Sequence, residues 1–247
     1  MSPDWFEPDW PAPERVRALV TTRHGGVSEG PWASMNLGSH VGDSPIAVAR
    51  NRAILRAIVP SEPHWLDQVH GTDVWDAASA DAGGAPPRAD ASVAREAGAV
   101  CVVMTADCLP VLFCDDEGSV VAAAHAGWRG LAAGILDATV ARMGVPPGRI
   151  MAWMGPAIGP EAFEVGGEVR ERFIAADGKA ERAFYPAPSD GKWYADLFEL
   201  ARQRLRSIGV ERVSGGDVCT HSDPLRWFSY RRDGVTGRLA SLVWLSE

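Results

Sequence analysis

Apolar residues in this chain fall into short runs bounded by glycine, proline and acidic residues, and the runs switch between strand-like alternation and helix-like spacing. Val16-Arg-Ala-Leu-Val-Thr-Thr22 alternates as a strand does, then breaks at the sharp turn Arg23-His24-Gly25-Gly26-Val27-Ser28. Asp43-Ser44-Pro45 predicts a helix start, with Ser44 as the N-cap and Pro45 in the first turn; the helix should run to about Val59 and stop before Pro60. Leu131, Ile135, Ala138 and Arg142 follow helical spacing up to Gly144, a favourable stop. Leu197, Leu200, Ala201, Leu205 and Ile208 make one face of an amphipathic helix closed by Gly209. Ile150–Met154 and Leu239–Leu245 predict buried strands, and the Pro/Gly/Ala-rich stretch Asp81–Pro87 predicts a surface loop. Strands mixed irregularly with hairpins and helices imply an α+β fold with a mixed sheet, not a doubly wound α/β fold.

The most informative segment is a hairpin. Val111-Leu-Phe-Cys114 and Ser119-Val-Val-Ala122 are apolar, β-rich runs separated by Asp115-Asp-Glu-Gly118. A loop symmetric about Asp116 and Glu117 would set Cys114 opposite Ser119 and, counting outward, Cys108 opposite His125. Directly opposed residues share a face with Cβ atoms roughly 4.5–5.5 Å apart. A slip of one residue near Pro110 would still leave the two side chains neighbours. A thiolate and an imidazole held that close can share a metal ion or a proton. Taken singly, a buried Cys is usually an inert small hydrophobe, and a strand-end His is usually structural. Two features favour chemistry here: a single hairpin brings the pair together, and both residues stand at strand ends, where scaffolds expose reactive groups.

Composition narrows the function classes. Hydrophobic content of 46% with 23% charged residues is that of an ordinary globular protein, and 247 residues suffice for one domain or two. A net charge of −8 without a basic stripe argues against nucleic-acid binding. The chain has no apolar run long enough to span a bilayer. The acidic, Pro/Trp-rich start lacks the basic and apolar regions of a signal peptide, so a cytoplasmic location is expected. The four cysteines, Cys101, Cys108, Cys114 and Cys219, are too few for a disulfide framework, and Cys101 and Cys114 sit in apolar runs that read as core. No Gly-x-Gly-x-x-Gly or Walker-type loop is present. The oligomeric state is left open, a monomer included.

A catalytic zinc site takes three protein ligands and keeps one position for water or substrate. Beside Cys108 and His125, the third ligand could be His70, which ends an apolar run before Gly71, or His24 beside its two glycines. Spacing does not choose between them.

Gln68-Val-His-Gly71, Thr105-Ala-Asp-Cys-Leu-Pro110 and Ala124-His-Ala-Gly-Trp-Arg-Gly130 resemble the three signature segments of the bacterial laccase-domain proteins. These proteins are also described as multicopper polyphenol oxidase-like proteins, purine nucleoside phosphorylases or peptidoglycan editing factors. The resemblance extends through Thr22–Ser28, Ser34–Gly38, Gly155–Pro160 and Phe228–Gly234, with Met35 and Trp227 as small departures away from the metal residues. It implies a single laccase-like domain over residues 1–247, an α+β mixed-sheet sandwich flanked by helices. It also implies a metal, most often Zn2+ and otherwise Cu2+, held by His70, Cys108 and His125. Activities credited to the family are phosphorolysis of adenosine, inosine and methylthioadenosine, deamination of adenosine, copper-dependent phenol oxidation, and removal of misincorporated L-serine from UDP-MurNAc cell-wall precursors.

Physical argument ranks these. Multicopper oxidation needs several copper centres and many histidines, whereas this chain has six histidines and one evident three-ligand cluster. One Zn2+ with an open position suits purine nucleosides, by activating water for deamination or polarising the base for phosphorolysis. Phosphorolysis also requires a site for inorganic phosphate, for which Arg23, Arg129, Arg231 and Arg232 are candidates, each with the alternative of a surface ion pair. Arg23 ranks first, because Gly25-Gly26 can close around a ligand. Asn36 could bind ribose or purine, or stabilise its own turn. Without a metal, Cys108 as nucleophile and His125 as base would make a thiol hydrolase suited to the cell-wall substrate, leaving His70 without a role. A purely structural zinc site is disfavoured because no fourth ligand is evident.

Overall fold

The long apolar runs belong to strands that are covered on both faces. The computed structural model describes residues 3–77 and 84–247. Strands β1 (Val16–Val20), β4 (Cys101–Thr105) and β12 (Leu239–Leu245) form an antiparallel three-stranded sheet in the order β1-β12-β4. A six-stranded sheet contains β2 (Val74–Asp76), β3 (Ala91–Ala94), β5 (Leu109–Asp115), β6 (Val121–Ala126), β7 (Ile150–Met154) and β11 (Arg212–Gly215), in the order β11-β7-β5-β6-β3-β2. Its two outer pairs are parallel and the central pairs antiparallel, so the sheet is mixed. A small third sheet joins β8 (Glu164–Gly166), β10 (Lys192–Ala195) and β9 (Phe184–Pro186).

Side-chain alternation builds the layers. From β5, Leu112 and Cys114 point between the two large sheets, where they meet Cys101 and Val103 of β4 and Val243 of β12. Leu109, Val111 and Phe113 point the other way, into a core shared with α3 (Ile135–Met143), α4 (Gly167–Ala176) and α5 (Leu197–Ser207). The outer face of the smaller sheet, through Val102, Met104 and Leu242, packs on Leu55 of α1 (Pro45–Arg56). The result is the expected α+β sandwich flanked by helices. Coverage on both faces is why β4, β5 and β6 read as continuous apolar runs and not as alternating ones.

Two expectations are corrected. The helix expected through Leu131 and Arg142 is two helices, α2 (Trp128–Ala133) and α3, broken at Gly134 with φ 101°. The break resets the helical phase: Leu136, Thr139, Val140 and Met143 are buried with Ile135, while Arg142 faces solvent. In the hairpin, Cys114 pairs with Val121 and Pro110 with His125, so the register lies two residues from the expected one. The cause is Asp115, whose carboxylate accepts from Ser119 N at 2.6 Å and Val120 N at 3.1 Å, folding a longer loop than the polar tetrapeptide alone suggested. Helix α1 starts at Pro45 with Ser44 in the N-cap position, as expected, but the Ser44 side chain makes no capping bond and the helix ends at Arg56. Of the expected loop, Asp81–Gly83 lie outside the described residues, and 84–87 contain no helix or strand. No helix among the described residues is long and apolar enough to cross a membrane.

Phe113 is fully buried near the middle of β5. Phe113→Ala should therefore lower unfolding stability by about 3–5 kcal/mol, measured by urea denaturation. A loss under about 1 kcal/mol would show that this layer is loosely packed.

Candidate metal centre

Three segments converge where the two large sheets part. The chain leaves the smaller sheet at Thr105 and joins the larger at Leu109, crossing through Ala106-Asp107-Cys108. The crossing is tight: Asp107 has φ 90°, a left-handed conformation that non-glycine residues rarely adopt. Asp107 is held there by Thr220 Oγ1 at 2.7 Å, Ser229 Oγ at 3.0 Å and the Arg231 backbone N–H at 2.7 Å, all donating to its carboxylate. Cys108 is thus delivered by the crossing turn, not by the ladder, and its side chain still reaches His125 near the end of β6. His70 comes from a loop fastened to the end of β4, where Gln68 donates to Met104 O at 2.8 Å and accepts from Met104 N at 2.7 Å.

Asp90, at the start of β3, locks the arrangement. Its fully buried carboxylate accepts from three consecutive amides, Val69 at 3.1 Å, His70 at 2.8 Å and Gly71 at 2.6 Å. The same carboxylate lies 2.8 Å from His125 Nδ1, and the Asp90 carbonyl accepts from His125 N at 2.7 Å. His70 sits at φ 60° to allow this. With Nδ1 bonded to Asp90, His125 is left with Nε2 for the site, the usual way a carboxylate orients a ligating imidazole. Burial pushes the Asp90 pKa up, but the bonds from His125 and from the Gly71 and Val69 amides outweigh it, and the net shift is downward.

One ligand atom each from His70, Cys108 and His125 lie within 4.8 Å of one another, and Cys108 Sγ is 3.7 Å from His70 Nε2. The space between them is kept open by Gly127: a Cβ there would stand 2.7 Å from His70 Cδ2 and 3.0 Å from Cys108 Sγ. Two imidazoles and a thiol, mutually close and fixed from behind, suit Zn2+ or Cu2+. Burial pushes the Cys108 thiol up, yet His125 and His70 override it and bring it down to about 6. Burial likewise lowers His125, but Cys108 and Asp90 raise it to about 9. The thiol is therefore poised as a thiolate, the form a metal binds. Cys101 and Cys114 are the opposite case, pushed up to about 12 by burial in the core.

The triad opens into a cavity of about 530 Å³, in the range of small-molecule sites. Trp128, Phe163 and Tyr230 supply aromatic wall, and Arg129, Arg231 and Arg238 supply positive charge. Among the described residues, Asp107 is the only carboxylate in the lining, and its oxygens already accept the three bonds described above.

Residues 17–246 match the family model described as multi-copper polyphenol oxidoreductase laccase. The chain belongs to that family. A purine nucleoside phosphorylase of Pseudomonas aeruginosa is 56% identical over 243 residues, covering 98% of this chain and 99% of its own. The purine nucleoside phosphorylase YfiH of Escherichia coli is 55% identical over 240 residues, covering 96% and 97%. Among solved structures, a Neisseria meningitidis protein superposes with a TM-score of 0.94 at 52% identity, covering 99% of this chain and 100% of its own. YlmD from Geobacillus stearothermophilus gives 0.89 at 32%, covering 98% and 96%.

In this laccase-family chain, His70, Cys108 and His125 form one cluster, and His24 lies elsewhere, 3.2 Å from Asp4. Arg129 and Arg231 line the cavity; Arg23, Arg232 and Asn36 do not. Arg23 donates to Ala33 O at 2.9 Å and Pro224 O at 2.6 Å and lies over the Phe228 ring, and the glycine turn beside it packs closely on Pro3, Ser34 and Asn51. Arg232 is spent on the Thr220, His221 and Trp227 carbonyls and on Asp233. Asn36 is fully buried and braces its own turn through Gly38 and Asp43. Sequence reasoning missed Asp90, Gln68, His40, Arg238 and the aromatic wall. Asp90 reads as an ordinary acidic residue before a strand, because its partners lie about twenty and thirty-five positions away.

Asp90→Asn should weaken zinc binding about ten- to a hundredfold in a chelator competition assay while the protein stays folded. Cys108→Ala should lose nearly all metal by elemental analysis, whereas Cys101→Ala should keep it. Full metal retention by Cys108→Ala would exclude the three-ligand site.

Proposed function

We propose that this protein is a zinc-dependent enzyme that phosphorolyses purine nucleosides, adenosine, inosine and methylthioadenosine among them, in the cytoplasm. The observation that carries the reading is the cavity itself. It joins an N/S metal triad to an aromatic wall and a set of arginines, without a carboxylate free to act. Aromatic faces suit a purine, and guanidinium groups suit phosphate. The purine nucleoside phosphorylase names of relatives at 55–56% identity support the same chemistry.

His70, Cys108 and His125 would hold the ion, which supplies Lewis acidity toward the bound ligand. The chain's own groups do the rest. Trp128, Phe163 and Tyr230 orient the base and exclude water from it, while the arginines place phosphate beside the ribose. In the reaction the C1′–N9 bond breaks, an oxygen of hydrogen phosphate bonds C1′, and the proton that phosphate gives up leaves on the purine. Positioning the two reactants supplies much of the rate in such a two-substrate step.

Deamination of adenosine is the less supported activity of the same site. Zinc deaminases use a carboxylate to shuttle the proton to the leaving ammonia. Here Asp107 is bound up in the crossing turn and Asp90 lies behind His125. Copper-dependent polyphenol oxidation requires more metal centres than the one N/S cluster found among the described residues. A second reading does have a specific observation behind it: with Cys108 near 6 and His125 near 9, the metal-free pair is a thiolate–imidazolium couple, as in thiol hydrolases acting on amides. It would serve removal of L-serine from a UDP-MurNAc precursor, but it leaves His70 and the space made by Gly127 unexplained.

Inosine with inorganic phosphate should give hypoxanthine and ribose 1-phosphate, followed by chromatography and phosphorus NMR. Stripping the metal should abolish turnover and, in the same step, make Cys108 reactive to iodoacetamide. Full activity of metal-free protein, destroyed on alkylating Cys108, would replace this reading with the thiol hydrolase.

A further inference from the structure

Half-buried arginines normally spend their guanidinium on neighbours, because an unpaired charge out of water is costly. Arg52 does so, placing Nε and Nη2 on Leu37 O at 3.0 and 2.9 Å, and Arg23 does so through Ala33 and Pro224. Arg238 does not. It is half-buried in the wall of the cavity, lies 5.9 Å from the Tyr230 ring centroid, has no carboxylate in ion-pair range among the described residues, and hydrogen-bonds only through Nη1, to Thr236 O and Gly237 O, both at 3.1 Å. Its Nε and Nη2 edge, the fork that matches two oxygens of one anion, is unbonded.

The surroundings fix that side chain in place. The Arg238 N–H donates to Asn36 Oδ1 at 2.9 Å, and the Arg238 carbonyl accepts from Leu37 N at 3.2 Å. Asn36, buried and itself held by Asp43, thereby clamps the start of β12 against the 36–38 turn. Gly38 leaves a channel for the stem, since a Cβ there would lie 2.7 Å from Arg238 Cγ. The other two cavity arginines are solvent-exposed. Arg129 rests on its neighbour Trp128, and Arg231 is tied to Glu164 O at 2.9 Å. Their charges are screened by water, whereas the field of Arg238 is less damped.

We propose that Arg238, positioned by Asn36 and Gly38, is the principal anion-binding residue of the cavity and takes the inorganic phosphate co-substrate through its free Nε–Nη2 edge. The proposal rests on the phosphorolysis reading for the identity of the anion, but the subsite itself stands on the unpaired guanidinium.

Two measurements on zinc-loaded protein separate the two claims: inorganic phosphate binding by calorimetry, and steady-state phosphorolysis of inosine. Arg238→Ala should weaken phosphate binding about ten- to a hundredfold and raise the KM for phosphate by a similar factor. The KM for inosine and the zinc content should stay near those of the unaltered protein. Arg238→Lys, which keeps the charge but not the fork, should recover part of the phosphate affinity, a result that a merely structural role would not give. Arg23→Ala should leave phosphate affinity unchanged. Phosphate affinity unaltered in Arg238→Ala, or absent from the unaltered protein, overturns the subsite. Binding lost in Arg238→Ala while the unaltered protein fails to cleave inosine upholds the anion site and overturns phosphorolysis.

Discussion

The site depends on a single buried carboxylate. Asp90 is out of contact with solvent and accepts from three consecutive amides of the His70 loop while bonding the ring of His125. A left-handed conformation at a residue such as His70 costs on the order of 1–3 kcal/mol. Hydrogen bonds to a charged group contribute about 1.5–3 kcal/mol each, so the amide bonds to Asp90 can offset that strain several-fold. Removing the carboxylate would therefore release the loop and free the ring together. Two residues of the candidate metal centre, from distant parts of the chain, are in this way referred to one fixed point.

The third residue of the cluster is placed by a different device. Cys108 lies in the turn by which the chain crosses from one large sheet to the other, and that turn is held by Asp107. The Phe228–Gly234 segment supplies most of the hold, through Ser229 Oγ and the Arg231 amide, with Thr220 completing it. Because the sheets part at this crossing, the same geometry that positions the thiol opens the cavity in front of it. Loss of Asp107 would disturb ligand and cavity at once. Its commitment also leaves the described lining without a free carboxylate.

The family's descriptive name points to several coppers and electron transfer, but the described residues gather a single N/S triad. Its cysteine is brought toward the thiolate by the two histidines and its partners are fixed from behind, an arrangement that suits coordination. The other buried thiols, Cys101 and Cys114, have no such neighbours and serve as core. Residue type alone does not separate these roles; electrostatic surroundings do.

Much of this was legible in the chain. Local periodicity identified β7, β12 and α5, because an element's buried face is written in consecutive residues. The hairpin that joins Cys108 to His125 was also visible, and its two-residue error in register preserved the face each residue occupies, since side chains alternate with a period of two. Sequence put Arg23 first among the arginines and did not single out Arg238. Arg23 beside paired glycines and Arg238 before an apolar strand are both single cations at an element boundary. Only the folded chain shows that Arg23 bonds carbonyls through both Nε and Nη1, whereas Arg238 does so through Nη1 alone and keeps its Nε–Nη2 edge toward the cavity side chains unbonded. Asp90 was hidden for the same reason. The sequence determined which residue types the site has available and which local elements carry them. Tertiary structure decided which charges are paired, because pairing is set by distances between segments far apart in the chain, and no local pattern encodes those.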